Sequence, residues 1–144
     1  MKAYIGLGSN LGEREAMIRL ALDDLARLPG TRLLRASSLY DTELTARQLL
    51  WNLLLIEKRL GRVRTQRWGP RVIDLDLLLY GTLVLDEPDL KVPHPELTRR
   101  SFVLVPLIEV DPLLVHPVTG EPMLAHLSRL KSRPPVKKGS RLWN

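Results

Sequence analysis

The sequence predicts one domain that mixes helices and strands, and three observations support this. First, 144 residues are enough for a single hydrophobic core. Second, an apolar strand pattern at 2–7 is followed by an amphipathic helix pattern at 13–28. Third, the alternation continues with a strand pattern at 32–42, a leucine-rich helix pattern at 45–60 and an apolar strand pattern at 72–80.

Composition sets the first limits on function. The chain carries 22 lysines and arginines against 16 aspartates and glutamates, a net charge of +6, which favours anionic partners such as nucleic acid or phosphorylated small molecules. It contains no cysteine, so disulfides and cysteine-based zinc sites are excluded. We find neither an apolar run of membrane length nor a signal-peptide pattern, and therefore expect a cytoplasmic protein.

Part of the positive charge lies close to the C-terminus, in a stretch rich in proline, glycine and serine. Its basic residues are Lys131, Arg133, Lys137, Lys138 and Arg141. Such a stretch is often a solvated tail. We therefore expect a domain at 1–130 and a basic tail at 131–144.

The first strand ends in glycines spaced G-x-G-x-x-x-G, from Gly6 to Gly12. This spacing matches neither the dinucleotide-binding motif nor a Walker A loop. We predict a tight turn in which Ser9 or Asn10 caps the following helix. That helix ends at Pro29–Gly30. Its apolar stripe consists of Met17, Leu20, Ala21, Leu25 and Leu28.

The second helix begins at a capping box formed by Thr45 and Gln48, and Gly61 is expected to close it. Glu57 lies beside its apolar stripe. Two roles remain open for Glu57: pairing with a neighbouring lysine or arginine, or accepting a hydrogen bond from a ligand. The predicted core face consists of Leu49, Leu50, Leu53, Leu54 and Leu60.

The strand at 72–80 carries Asp74 and Asp76 on one face, with Cα atoms about 6.5–7 Å apart. Its other face is aliphatic, formed by Ile73, Leu75, Leu77 and Leu79. Two neighbouring carboxylates on a buried strand repel each other unless a cation lies between them. Mg²⁺ takes such ligands together with substrate phosphates. The alternative is two aspartates in surface salt bridges.

Basic and aromatic residues precede this strand. Arg62, Arg64, Arg67 and Arg71 could bind the phosphates of a ligand through bidentate contacts, and Trp68 offers a flat surface for a ring. The alternative is a solvated basic loop.

The C-terminal half is less informative. Residues 82–85 are expected to form a hairpin with the preceding strand across Gly81. His94 is flanked by Pro93 and Pro95, a rigid setting that would suit a phosphate contact. The apolar stretch at 103–110 could be a strand or a helix, and 123–130 is predicted as a short helix.

Several motifs together resemble one family, the 6-hydroxymethyl-7,8-dihydropterin pyrophosphokinases of folate biosynthesis. They occur in the family's order and cover most of the chain. They are A-Y-I-G-L-G-S-N-L-G at 3–12, S-S-L-Y-D-T at 37–42, I-E-x-x-L-G-R-V-R at 56–64, R-W-G-P-R-V-I-D-L-D-L-L-L-Y-G at 67–81, V-P-H-P at 92–95 and R-S-F-V-L-V-P-L-I-E-V at 100–110.

The resemblance implies a fold, a reaction and a set of site residues. The fold is α+β, a ferredoxin-like antiparallel sheet with packed helices in a three-layer α/β/α sandwich. The reaction is transfer of a diphosphate group from ATP to the hydroxymethyl group of the pterin, giving AMP, by a monomer that binds neither nucleic acid nor membrane. Two Mg²⁺ ions would be held by Asp74 and Asp76, with Arg62 and Arg71 also catalytic. Implied ATP contacts are Glu57, Arg62, Arg64, Arg71, His94 and Arg100, and implied pterin contacts are Thr42, Trp68 and Phe102.

The chain departs from the family between Thr42 and Thr45. There the family has a loop and a further strand carrying an asparagine that reads the pterin edge, whereas here only two residues intervene. Fully extended, they span about 7 Å, too little to cross a sheet. We therefore predict either a break in the chain within 40–46 or a sheet that lacks one strand.

Two other functions remain open. A ferredoxin-like nucleic-acid-binding module would explain the basic charge but not the paired aspartates, which would repel a duplex. A degenerate family member that binds ATP without efficient transfer would explain the missing segment.

Overall fold

A computed structural model describes residues 1–8, 14–35, 38–64 and 73–130, with only the backbone for Arg14 and for 62–64. No helix in these ranges is long and apolar enough to cross a membrane. The elements are β1 (Lys2–Gly8), α1 (Arg14–Ala26), β2 (Thr31–Arg35), β3 (Leu39–Thr42), α2 (Ala46–Arg64), β4 (Asp74–Tyr80), β5 (Leu85–Glu87), β6 (Leu90–Val92), α3 (Ser101–Val110) and α4 (Met123–Ser128), with a 3₁₀ turn at Leu97–Arg99.

The central sheet has four strands in the order β2-β3-β1-β4, and every neighbouring pair is antiparallel. With α1 between β1 and β2, and α2 between β3 and β4, this is the βαββαβ arrangement of a ferredoxin-like fold. Both faces of β1 are buried, as Ala3, Tyr4 and Ile5 show. Helices α1 and α2 pack against each other, and the Tyr4 hydroxyl donates to Asp111, just after α3, at 2.7 Å. The α+β sandwich implied by the resemblance is confirmed.

Helix α2 begins as the capping box predicts. The backbone N–H of Gln48 donates to Thr45 Oγ1 at 3.1 Å, and that of Thr45 donates to Gln48 Oε1 at 2.9 Å. The helix does not close at Gly61 but continues to Arg64. The predicted core face is also too wide, because Leu54 is 48% exposed and Leu50 is only partly buried.

The segment predicted as one strand over 32–42 is a hairpin of two strands. Its first half is the edge strand β2, and its second half folds back as β3 between β2 and β1. The chain continues from β3 into α2, with the N–H of Glu43 donating to Gly30 O and that of Leu44 to Thr42 Oγ1. Neither predicted outcome, a break or a missing strand, is therefore found, and both expectations are wrong.

The topology explains why this segment reverses. β4 starts at Asp74 opposite Gly8, the last residue of β1. The 19 residues of α2 span about 28 Å, so α2 must start at the opposite end of the sheet. A single straight strand over 32–42 would end on the wrong side, whereas β3 ends beside Met1, whose carbonyl accepts from the N–H of Thr42.

The hairpin expected across Gly81 is not formed. Gly81 makes a turn with φ +56°, and its N–H donates to Lys2 O at 2.7 Å. The strand that follows this turn, β5, pairs with β6 instead of β4. The ambiguous stretch at 103–110 is helical, in α3, and the short helix expected at 123–130 is α4.

Candidate active site

Asp74 and Asp76 lie at the start of β4, where their paired residues on β1 are glycines. Gly8 is opposite Asp74 and Gly6 is opposite Asp76. Residues paired in this way normally place their Cβ atoms about 5 Å apart, and glycine has none. The β1 neighbours of the two aspartates therefore leave space on the carboxylate face. Ile73, Leu75 and Leu77 are at most 5% exposed, as predicted. Leu79 is also buried, but the pairing register shifts, so that Leu77 lies opposite Ile5 and Leu79 opposite Tyr4. Because neighbouring residues of β1 point to opposite faces, the prediction that Leu79 shares the face of Leu77 is wrong.

A cleft of about 270 Å³ opens beside this strand. β4 forms its floor, α2 forms one wall, and the β5–β6 hairpin with the following loop forms the other. The lining residues are Leu50, Leu54, Glu57, Leu75, Asp76, Leu77, Pro88, Asp89, Leu90, Lys91, His94 and Pro95. Three predicted residues, Glu57, Asp76 and His94, are thus brought together.

Glu57 joins the α2 wall to the floor. Its Oε2 accepts the backbone N–H of Leu75 at 2.7 Å, so this glutamate holds a strand rather than pairing only with a basic neighbour.

His94 is held both through its backbone and through its ring. Its N–H donates to Leu78 O at 2.8 Å, on the outer edge of β4, and its Nδ1 accepts the N–H of Glu96 at 3.1 Å. In the neutral ring the proton is therefore on Nε2. This geometry gives the cleft a fixed hydrogen-bond donor of the kind a phosphate oxygen needs.

The two walls are joined at the outer end of the cleft by Arg47. Its NH1 and NH2 bind Asp89 at 3.0 and 3.3 Å, and NH2 also contacts Glu87. The hydrogen bond from Arg47 is the main cause of the lowered pKa of Asp89. Lys91 similarly lowers the pKa of Asp86, mainly by a hydrogen bond, so both carboxylates stay ionised near neutral pH.

Other predicted residues are not brought into the cleft. Arg100 and Phe102 lie at the start of α3 with the guanidinium carbon 5.8 Å from the ring centroid. Thr42 is buried in β3, and its hydroxyl contacts Thr31 Oγ1 at 2.7 Å. Since Asp41 pairs with Lys2, and Asp74 with Gly8, Thr42 is about 20 Å from Asp74 along the sheet.

The remaining predicted residues precede β4. Arg67, Trp68 and Arg71 fall outside the described residues, as do the side chains of Arg62 and Arg64. Their roles stay predictions.

The donor set fits Mg²⁺. Hard carboxylate oxygens suit this ion, which usually binds one or two carboxylates plus substrate phosphates. The described lining contains the carboxylates of Glu57, Asp76 and Asp89 and the ammonium group of Lys91, with Asp89 bound by Arg47 and Lys91 by Asp86. This lining offers a polyphosphate no excess of basic groups, so its binding calls for a cation or added arginines.

The family model for 7,8-dihydro-6-hydroxymethylpterin-pyrophosphokinase matches residues 39–112, just over half of the chain. The chain belongs to this family. It is 42% identical to the 2-amino-4-hydroxy-6-hydroxymethyldihydropteridine pyrophosphokinase of Methylorubrum extorquens, with 90% of this chain and 93% of that protein covered. Identity to the enzyme of the same name from Pseudomonas aeruginosa is 44%, covering 77% and 81%. A third relative, the folic acid synthesis protein fol1 of Pneumocystis carinii, is 39% identical over 88% of this chain, which spans only 20% of that longer protein.

These alignments also measure the departure from the family. The alignment to the M. extorquens pyrophosphokinase has 149 positions, yet 90% of 144 residues is only about 130. About 20 aligned positions therefore have no counterpart here, and the P. aeruginosa alignment gives the same difference. In these two alignments the chain lacks about as many residues as a strand and a loop contain.

Sequence reasoning missed several parts of the cleft. Leu50 and Leu54 were assigned to the core. The adjacent pairs Leu49–Leu50 and Leu53–Leu54 could have indicated that the apolar face of α2 is wider than the part that packs in the core. Arg47 and its partners gave no local signal, because Glu87 and Asp89 lie about 40 residues further along the chain.

Proposed function

We propose that this chain transfers a diphosphate group from ATP to 6-hydroxymethyl-7,8-dihydropterin in folate biosynthesis. The observation that carries the proposal is the placement of Asp74 and Asp76 on one face of an edge strand, with Asp76 opening onto a cleft that also contains Glu57 and His94.

The reaction is a displacement at the β-phosphorus of ATP. The pterin hydroxymethyl oxygen bonds to this phosphorus, the bond from it to the α,β-bridging oxygen breaks, and AMP leaves as the hydroxyl proton is lost. Asp74 and Asp76 would hold Mg²⁺, whose chemistry would be to neutralise charge on the phosphate oxygens. The chain's own contribution is positioning: Asp74 and Asp76 would hold the metal, and His94 Nε2–H would donate to a phosphate oxygen.

The finer assignments are proposals as well. We infer two Mg²⁺ ions, which Asp74 and Asp76 would hold and which would neutralise the charge of the triphosphate. Arg62, Arg64, Arg71 and Arg100 would add bidentate phosphate contacts. Thr42, Trp68 and Phe102 are the proposed pterin contacts. We further propose that the protein is a cytoplasmic monomer and that its anionic partner is ATP rather than nucleic acid.

An assay of AMP formation tests the proposal. With Mg²⁺ and ATP, AMP should appear only when the hydroxymethyl pterin is added, and removal of Mg²⁺ by EDTA should stop it. Salt-dependent DNA binding without any ATP turnover would favour the nucleic-acid module instead.

A second candidate function is binding of ATP with inefficient transfer. Two observations favour it: about 20 positions of the relatives have no counterpart, and the β3 reversal carries Thr42 to the far end of the sheet. The described residues that line the cleft do not belong to the shortened connection between Thr42 and Thr45. If this second candidate is right, Mg·ATP would therefore bind normally and the pterin would bind weakly.

A chimera separates the two candidates. The segment of the P. aeruginosa enzyme that has no counterpart here would be inserted after Thr42. If pterin affinity rises at least about tenfold while ATP affinity stays constant, the shortened connection limits pterin binding. If the chimera and the parent bind the pterin equally well, the shortened connection does not limit pterin binding, and the first candidate, efficient transfer, is favoured.

A further inference from the structure

Glu57 hydrogen bonds to the backbone of the residue that separates the two aspartates. Its Oε2 lies 2.7 Å from the nitrogen of Leu75, a distance typical of an N–H donating to an ionised carboxylate. We propose that Glu57 is a positioning residue: it fixes the backbone between Asp74 and Asp76 and so orients both carboxylates for the metal. The inference rests on the proposed function, in which these aspartates hold Mg²⁺.

The position of β4 in the sheet makes such an anchor necessary. β4 is an edge strand, paired with β1 on its inner side. An outer edge has no neighbouring strand whose hydrogen bonds could hold its peptide groups. In the described structure two groups from outside the sheet bind this edge: Glu57 at the N–H of Leu75 and the N–H of His94 at Leu78 O.

Leu75 is held at two points on different sides. Its side chain is 4% exposed and packs in the core, while Glu57 binds its N–H. Side chains alternate along a strand, so Asp74 and Asp76 point to the face opposite Leu75. With the Leu75 peptide fixed, the Cα–Cβ directions of both aspartates are fixed too.

Glu57 is itself rigidly placed, because the adjoining face of α2 is in the core. Leu53, Ile56 and Leu60 are all at most 6% exposed. Through the Glu57 carboxylate, the rigidly packed helix α2 therefore fixes the end of β4 that carries the proposed metal ligands. Mg²⁺ tolerates little deviation from octahedral geometry, and partners that orient metal ligands commonly change metal affinity 10–100-fold.

The geometry favours this role over direct ligation. Among the described residues, no set of three or more carboxylate or histidine groups is arranged to hold one metal ion. Glu57 therefore does not complete a three-carboxylate site with the two aspartates, and its Oε2 instead accepts the N–H of Leu75, on the strand that carries them.

Two substitutions separate the hydrogen bond from the negative charge. E57Q keeps an oxygen that can accept the Leu75 N–H but removes the charge, whereas E57L removes both. Glu109, an exposed glutamate in α3, supplies the controls E109Q and E109L, which make the same changes in another helix away from β4. The measurement is the affinity of the protein–ATP complex for Mn²⁺ by electron paramagnetic resonance, with Mn²⁺ standing in for Mg²⁺.

We expect E57L to weaken Mn²⁺ binding at least about tenfold, E57Q to stay within about threefold of wild type, and both Glu109 variants to be unchanged. ATP affinity in EDTA is measured for every variant, because the resemblance implies that Glu57 also contacts ATP, and Mn²⁺ binding is compared at saturating ATP. If E57Q is as weak as E57L, the charge matters and the positioning role is overturned. If E57L binds Mn²⁺ normally at saturating ATP, it is overturned as well.

A second readout does not involve the metal. The amide proton of Leu75 in the metal-free protein should move upfield in E57L and stay close to its wild-type shift in E57Q. An unchanged shift in E57L would mean that the hydrogen bond is absent in solution. If the wild-type amide shift shows the hydrogen bond but the ATP complex binds no Mn²⁺, the proposed function fails. The inference then fails because there is no metal site to orient, and not because the hydrogen bond is absent.

Discussion

Asp74 and Asp76 are the residues whose substitution should affect chemistry most and folding least. Asp76 is exposed and Asp74 is partly exposed, so neither is needed to fill the core. D74A and D76A should each lower Mg²⁺-dependent AMP formation about a hundredfold or more, because metal-held charge stabilisation is lost. The thermal midpoint should change little.

The matched control is D23A, which removes an exposed aspartate from α1. It should leave both activity and stability unaltered. Activity of D74A or D76A within tenfold of wild type would exclude these aspartates as essential metal ligands.

His116 makes stability depend on pH. Burial, and to a smaller extent the neighbouring His126, lower its pKa below the ordinary value of 6.5. Between these two pKa values the unfolded chain binds more protons than the folded one, so stability rises with pH there. The contribution is complete above about pH 6.5 and is lost as pH falls through the folded pKa.

The variant H116N tests this directly. Its side-chain oxygen can replace Nδ1, which accepts the N–H of Val118 at 3.1 Å, but it cannot take up a proton near pH 6. The midpoint of urea unfolding should fall less between pH 7.5 and pH 5 in H116N than in wild type. Parallel curves for the two proteins would show that His116 does not contribute.

At the scale of elements, Arg47 joins the β5–β6 hairpin to α2. The pair is exposed, since the Arg47 and Asp89 side chains are 51% and 69% accessible, so it should add little to global stability. It should matter for ATP, because it sets the distance between the two walls of the cleft. We predict that R47A raises the KM for ATP about threefold or more with kcat nearly unchanged.

The control R99A breaks another exposed pair, Arg99 with Glu96, which does not join the cleft walls. Its KM should equal that of wild type. Raising the salt concentration should increase the KM of wild type more than that of R47A, because salt screens the Arg47 pair. Equal KM values for wild type and R47A would show that the hairpin is held by other contacts.

At the scale of the whole molecule, the sequence predicted those helices and strands whose formation depends on residues close together in the chain. The first strand, α1, the capping box of α2 and the aliphatic face of β4 as far as Leu77 all follow from side-chain periodicity and capping, whereas the register shift before Leu79 does not. The reversal between β2 and β3 could not be predicted in this way. It depends on where α2 must start for Asp74 to lie opposite Gly8. This requirement involves the whole chain from β2 to β4, some 40 residues, and no short window of sequence contains it.

The same limit applies to the site. The D-L-D pattern identified Asp74 and Asp76, and the two prolines around His94 singled out that histidine. The partners that hold them are distant in sequence, as with Glu57 and Leu75, and only the assembled fold brings them together. Gly81 shows the converse: its turn was correctly expected, but the strand after it pairs elsewhere.

Following the phosphates of ATP tests the central claim, diphosphate transfer to the pterin, most directly. Two reactions would be run with Mg²⁺ and the hydroxymethyl pterin, one with ATP labelled at the γ-phosphate and one at the α-phosphate. The account predicts that the γ label moves to the pterin product and the α label remains in AMP. It would be contradicted if the γ label appeared as inorganic phosphate with ADP, or if both labels stayed in ATP although Mg·ATP binds.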